Sequence, residues 1–116
     1  MTIDPTVVNF VYEFNRLAGE ISAQCKAKGF ADNWNDGEKL ALIHAEISEA
    51  LEELRKVNHE PSEKLNGAVT KFTEELADAI IRIMDFAGHY NLDLGSAIVL
   101  KHAYNGTRPH KHGKKF

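Results

Sequence analysis

The sequence predicts an all-α, four-helix bundle-like fold. Apolar residues recur at helical spacing along nearly the whole chain, and no stretch alternates with a period of two over a strand's length. Clusters of Gly, Pro, Asn and Asp divide the chain into four such segments. We expect residues 1–116 to form a single domain whose basic tail, residues 106–116, follows the last helix.

The composition excludes several classes of protein. Cys25 is the single cysteine, so no disulfide framework or cysteine-rich zinc site is expected. No basic-then-apolar leader opens the sequence, and no run approaches the roughly 20 apolar residues that span a bilayer. We therefore expect a soluble, cytoplasmic protein without a membrane partner.

The first helix is predicted to begin at Asp4, an N-cap acid followed by Pro5 at the first helical position, and to stop at Gly29. Residues 30–37 form a loop by composition. Trp34 in this loop is interpreted either as a plug of the core or as a stacking surface for a base.

The second helix is expected over residues 36–57, with Asn35 and Glu38 placed to form a capping box. A break at 58–67 contains Pro61 and Gly67, and a third helix is expected over 68–89.

A short fourth helix is expected over 94–104, capped by Asn91 or Asp93. Gly106 and Pro109 are expected to end it.

The third segment carries apolar side chains around most of its circumference, which is typical of a central helix. The broad face comprises Phe72, Leu76, Ala79, Ile80, Ile83, Met84 and Ala87. The remaining narrow stripe holds Lys71, Glu74, Glu75, Asp78, Arg82, Asp85 and His89. At least part of this charged stripe should face a cleft, where buried charges need partners.

The second segment supplies candidate partners. We expect its core face to consist of Leu40, Ile43, Ile47, Ala50, Leu51 and Leu54. Glu46 and Glu49 lie at the border of that face and are neighbours on the helix surface, as Glu75 and Asp78 are on the third. If the two helices pack antiparallel, the two pairs can converge.

Four converging carboxylates would repel one another unless a divalent cation neutralises them. Ligation by oxygen atoms alone suits Mg²⁺, with Mn²⁺ as an alternative. Ordinary solvated helices also carry such pairs. A di-iron bundle is excluded because no Glu is followed three residues later by His.

These residues resemble a known family. Glu46-x-x-Glu49, about 25 residues, then Glu75-x-x-Asp78 and the downstream KHAYNGTRP are similar to the MazG-like all-α nucleoside triphosphate pyrophosphohydrolases. The resemblance runs from about Trp34 to the carboxyl end. It implies a helical bundle that binds Mg²⁺ through the four acids and cleaves a (d)NTP between its α and β phosphates. It also implies a homodimer or homotetramer with sites completed across subunits.

The expected roles follow from this chemistry. Metal-ligating residues would be Glu46, Glu49, Glu75 and Asp78, with Glu49 also orienting or deprotonating the attacking water. The phosphates would be bound by Lys101, Asn105 and Arg108. Arg82 and Asp85 are expected either to touch substrate or to pair with each other at three-residue spacing.

The charge distribution bears on partners. All 17 acidic residues lie at or before Asp93, whereas the last 23 residues carry five Lys or Arg and no acid. A basic tail suits a nucleoside triphosphate, and an acidic body argues against nucleic acid as a partner. Two alternatives to a house-cleaning (d)NTP hydrolase stay open: a phosphoribosyl-ATP pyrophosphohydrolase, and a non-catalytic oligomeric binding module of the same fold.

Overall fold

The computed structural model describes residues 4–116 and confirms an all-α fold over them. It contains α1 (Pro5–Ala27), α2 (Asp36–Arg55), α3 (Lys71–His89) and α4 (Leu94–Gly106). A short 3-10 turn over His110–Gly113 follows in the tail. Across the described part of the chain, no helix has both the length and the apolar character needed to cross a membrane.

The predicted helix starts are confirmed where a side chain caps them. Asp4 accepts a hydrogen bond from the Thr6 amide, Asn35 from Glu38 and Asp93 from Ser96. Each oxygen satisfies one of the amides that a first helical turn leaves without a partner.

Helix α3 begins at Lys71 and not at residue 68, as the spacing predicted. The amides of Ser62 and Lys71 donate to the carbonyls of Val69 and Glu60 at 2.8 and 2.9 Å, so the backbone before α3 pairs with the preceding loop. Thr70 then caps the helix by accepting from the Thr73 amide.

Helix α3 is central, as predicted, because it packs against both α1 and α2, whereas α4 packs on α1. The α2 and α3 helices run antiparallel. Tyr90 at the end of α3 hydrogen bonds to Asp36 at the start of α2, and Arg82 pairs with Glu46 further along.

Small residues mark the places where helices approach closely. A Cβ atom on Gly88 would lie 2.7 Å from the Ser22 Cβ and against the Ala18 carbonyl of α1. A Cβ atom on Gly95 of α4 would similarly lie 3.0 Å from the carbonyl oxygen of Val11 in α1. The buried apolar residues are likewise mostly small: Ala18, Ala50, Ala79, Met84 and Ala87.

The expected core face of α2 is only partly confirmed in the single chain, because Ala50 is buried but most of the large side chains are not. Large side chains of that stripe are about half exposed: Leu40 at 49%, Ile47 at 51%, Leu51 at 54% and Leu54 at 52%. The neighbouring Ile80 on α3 is 53% exposed. Helix α2 turns Glu46, from the border of that face, toward α3 together with Ala50, and both are buried.

The overall dimensions agree with an open arrangement. The radius of gyration is 16.9 Å, whereas about 13 Å is typical of a compact domain of this length. The chain therefore leaves much of its apolar surface uncovered.

Candidate metal centre

The four predicted carboxylates lie together between α2 and α3. Oxygen atoms of Glu46, Glu75 and Asp78 lie within 4.8 Å of one another. Glu49, one turn after Glu46 on α2, lies close enough to the Glu75 carboxyl group to raise its pKa. The antiparallel packing thus converts two i, i+3 pairs into one cluster, as the sequence predicted.

Two carboxylate oxygens in this cluster are buried without a hydrogen-bond partner: Glu46 Oε2 and Glu75 Oε2. The other Glu46 oxygen accepts from Arg82 Nε at 2.8 Å. Buried polar atoms are almost always hydrogen-bonded, and an unpaired buried carboxylate oxygen is costly. A bound cation would provide the missing partner.

The crowding of the acids raises their pKa values. The pKa of Glu75 rises to about 7, because burial disfavours its charge and because Glu49, Asp78 and Glu46 lie close by. Burial also raises the pKa of Asp78, with Glu46 and Glu74 adding to the effect. Near neutral pH the cluster therefore retains a proton that a divalent cation would displace.

The donor chemistry fits a hard cation. Each carboxylate contributes oxygen, the described cluster contains neither histidine nor cysteine, and Mg²⁺ and Mn²⁺ prefer such ligands. Glu46, Glu75 and Asp78 are placed to hold the ion directly. Glu49 is exposed and reaches the cluster through Glu75.

A cavity of about 320 Å³ opens beside the cluster. It lies between α1, α2 and α3 and is lined by Cys25, Phe30, Lys39, Glu46, Asp78, Ile81, Arg82 and Asp85. A larger cavity of about 820 Å³ between α1 and α4 is lined mainly by apolar side chains and shares none of these residues. The cavity of about 320 Å³ adjoins Glu46 and Asp78, whereas Glu75 lines a separate cavity of about 280 Å³ together with Lys64 and Lys71.

Arg82 does not pair with Asp85, which was one of the two arrangements expected from the sequence, and its contact with substrate stays a prediction. Its guanidinium crosses from α3 to Glu46 of α2, whereas Asp85 forms no ion pair with Arg82. Arg82 therefore holds one oxygen of Glu46 and lines the cavity at the same time.

Trp34 belongs to an aromatic group at the start of α2. Its ring stacks on His89 with centroids 3.6 Å apart and an interplanar angle of 3°, and its Nε1 donates to Asp36 at 2.7 Å. The Lys39 ammonium lies 4.8 Å above the same ring. One face of the indole is thus already covered, and stacking on a base remains a prediction.

The predicted phosphate-binding residues lie elsewhere in the single chain. Lys101 and Asn105 line a separate depression on α4, and Lys101 and Arg108 lie over the Tyr104 ring at 4.9 and 5.6 Å. Arg108 also donates to Asn105 at 3.5 Å. These three residues are close to one another but do not share a cavity with the carboxylates.

Sequence reasoning missed Lys39 as a cavity residue, and it left Asp85 between substrate contact and pairing with Arg82. Asp85 lies seven residues after Asp78 on α3, and Lys39 lies seven before Glu46 on α2. Two helical turns bring such residues back to nearly the same face. The seven-residue spacing from Asp78 and from Glu46 is the sequence signal that predicts a cavity position for Asp85 and Lys39.

No known protein family, curated protein or solved structure matches this chain. The interpretation of the site therefore depends on its own geometry and on the sequence pattern.

Replacing Glu75 by Gln tests the cluster through stability. The pKa of Glu75 is about 7 in the folded chain against 4.5 for the free group, so the folded state binds more protons between these pH values. The free energy of unfolding of the metal-free protein should fall as pH rises through this window. Glu75→Gln should flatten this pH dependence and raise the free energy of unfolding by about 1–2 kcal/mol at pH 8. This value is smaller than the full pKa shift implies, because water reaches part of the site and screens the charges.

Denaturant unfolding at several pH values, with and without millimolar Mg²⁺, measures the pH dependence of stability and the stabilisation by the cation. Mg²⁺ should stabilise the wild type at pH 8 and leave Glu75→Gln little changed. Glu52→Gln, which removes an exposed acid paired with Arg55, is the matched control and should behave like the wild type. Equal Mg²⁺ stabilisation of wild type and Glu75→Gln would contradict the assignment.

Proposed function

We propose that this chain is a Mg²⁺-dependent nucleoside triphosphate pyrophosphohydrolase of the MazG-like type. The supporting observation is the convergence of Glu46, Glu49, Glu75 and Asp78 between antiparallel helices, with two buried carboxylate oxygens left without partners. The resemblance noted in the sequence assigns the same four acids to the metal. The substrate would be a canonical or damaged (d)NTP.

The division of roles follows from exposure and charge. Glu46, Glu75 and Asp78 would hold Mg²⁺, which when bound supplies neutralisation of phosphate charge and acidification of water. Glu49 is exposed at the edge of the cluster, where its carboxylate can orient the attacking water and accept its proton.

The hydrolysis balances without another reactant. The water oxygen bonds to phosphorus, and the bond between the α and β phosphates breaks. The products are the nucleoside monophosphate and pyrophosphate. Arg82 lines the cavity beside the cluster and is placed to donate to phosphate oxygens while still holding Glu46.

Lys101, Asn105 and Arg108 would then act on the site of a second copy. In the single chain they lie outside the carboxylate cavity, and neither the exposed Lys101 nor the half-buried Arg108 has an acidic ion-pair partner within residues 4–116. An assembly that places this basic segment near the acids of its partner would complete the site. The basic tail extends the same surface.

The exposed apolar stripe of α2 is the surface for that assembly. Leu40, Ile47, Leu51 and Leu54 recur at the spacing of a helix-packing face, with Ile80 of α3 beside them. Pairing this face with its copy would bury the side chains that one chain leaves in water. A homodimer, or a homotetramer built from it, is the proposed state.

The reaction is tested by pyrophosphate release from a panel of NTPs, dNTPs, oxidised nucleotides and phosphoribosyl-ATP. We expect Mg²⁺-dependent release from a subset of the (d)NTPs, reduced in Glu75→Gln by two to three orders of magnitude through lost charge stabilisation. Glu52→Gln should retain wild-type rates, because Glu52 points away from the cluster.

The other possible results of this substrate panel each favour one of the two alternative functions. Turnover confined to phosphoribosyl-ATP would favour that hydrolase, and no turnover with either Mg²⁺ or Mn²⁺ would favour the non-catalytic binding module. Both results would contradict the proposed (d)NTP activity.

The assembly is tested by light scattering coupled to size-exclusion chromatography. The wild type should elute with at least twice the chain mass of 13.0 kDa. Ile47→Glu places a charge in the proposed interface and should shift the protein toward monomer, because an unpaired buried charge is strongly unfavourable. Val57→Glu is the control, since Val57 is 95% exposed and lies beyond α2. A folded wild-type monomer would contradict the proposed interface.

A further inference from the structure

The cavity beside the carboxylate cluster has two chemically different ends. Glu46 and Asp78 line one end, and Cys25, Lys39 and Asp85 line the other. Asp78 and Asp85 are seven residues apart on α3, which corresponds to about 10 Å along the helix axis. The volume of about 320 Å³ is at the lower end of the range found for small-molecule sites, roughly 300–1,000 Å³.

Asp85 is the unusual residue at the far end. Its side chain lines the cavity although the residue is only 9% exposed, and it forms no ion pair within residues 4–116. Its polar neighbour is the Cys25 thiol, which is a weak donor. A carboxylate has about four acceptor positions, so Asp85 keeps most of its hydrogen-bonding capacity for a ligand.

The nearby cations are already engaged. Lys39 donates its ammonium to the Phe30 carbonyl at 2.6 Å and lies over the Trp34 ring, whereas Arg82 binds Glu46. Neither is bonded to Asp85. The far end of the cavity therefore offers a hydrogen-bond acceptor, with Ile81 and Phe30 as apolar walls.

A nucleobase with an exocyclic amino group matches this end of the cavity. Its faces are apolar, and its edge presents N–H donors to a carboxylate. Guanine places two donors side by side, whereas uracil and thymine place carbonyl oxygens on both sides of one N–H. Those carbonyl oxygens would face the Asp85 carboxylate and be repelled.

We propose that Asp85 selects the base of the substrate by accepting hydrogen bonds from its amino group, favouring guanine and disfavouring uracil and thymine. The inference rests on the proposed function, in which the phosphates bind at the carboxylate end of the same cavity. Asp85 is assigned base recognition and no part in the bond cleavage.

The test compares kcat/KM for GTP, ITP and UTP with Mg²⁺ in the wild type and in Asp85→Asn. ITP lacks only the 2-amino group of GTP, so this pair isolates one hydrogen-bonding group. We expect the wild type to favour GTP over ITP by about tenfold, and over UTP by more. Asp85→Asn should bring both ratios close to one. Asp32→Asn makes the same chemical change in the exposed loop before α2 and should keep the wild-type ratios.

A second readout needs no turnover. Calorimetric binding of GMP, IMP and UMP to metal-free protein should rank them in that order in the wild type, and the ranking should be lost in Asp85→Asn. If Asp85→Asn does not fold, the GTP-to-ITP ratio of the wild type still decides, because a ratio of one overturns the proposal.

The outcomes separate the two proposals. Hydrolysis of nucleotides without base preference, or with a preference that Asp85→Asn retains, would overturn base selection and leave the proposed reaction standing. Base-selective, Asp85-dependent binding of monophosphates without any hydrolysis would support the base site and overturn the reaction. Neither hydrolysis nor selective binding would overturn both.

Discussion

Repulsion among carboxylates buried between α2 and α3 is the constraint on which the rest of the structure depends. Glu46 is nine-tenths buried, and only one of its two oxygens has a partner. The pKa of Glu75 is raised to about 7 by burial and by its acidic neighbours. Like charges held together in a low dielectric reduce the stability of the folded chain. Such arrangements are typical of functional sites.

The uncovered surfaces follow from the same constraint. Because α2 turns Glu46 toward α3, its large apolar side chains face outward, where Ile47 and Leu51 are about half exposed. The basic residues of α4 and the tail lie outside the carboxylate cavity. The acidic centre, the apolar face and the basic segment do not complete one another within one chain, and we propose that they do so between two copies. The proposed assembly brings these three surfaces together.

The sequence predicted those features that local physics determines. The caps at Asp4, Asn35 and Asp93 depend on a side-chain oxygen and an amide two or three residues away, so spacing alone located them. The acid pairs were found because neighbours on a helix recur at three residues. Their convergence needed only antiparallel packing, which the break predicted at residues 58–67 allowed.

The sequence could not predict which face of α2 meets its own chain, because periodicity locates an apolar stripe without identifying its partner. The pairing of Arg82 with Glu46 also escaped prediction, since it joins residues 36 positions apart through tertiary packing. The start of α3 at Lys71 depended on backbone pairing with the preceding loop. The proposed role of Asp85 depends on the cavity that it lines together with residues of α1 and α2, which the sequence does not show.

Whether the carboxylate cluster is a divalent-cation site is tested most directly by NMR. Substoichiometric Mn²⁺ is added to the protein, and the line broadening of the amide signals is measured. We expect broadening confined to amides near the cluster, in the turns around Glu46 to Ala50 and Glu75 to Ala79. Excess Mg²⁺ should reverse it. Broadening spread over exposed acids such as Glu13, Glu52 and Glu60, or none at micromolar Mn²⁺, would contradict a cation site in this cluster.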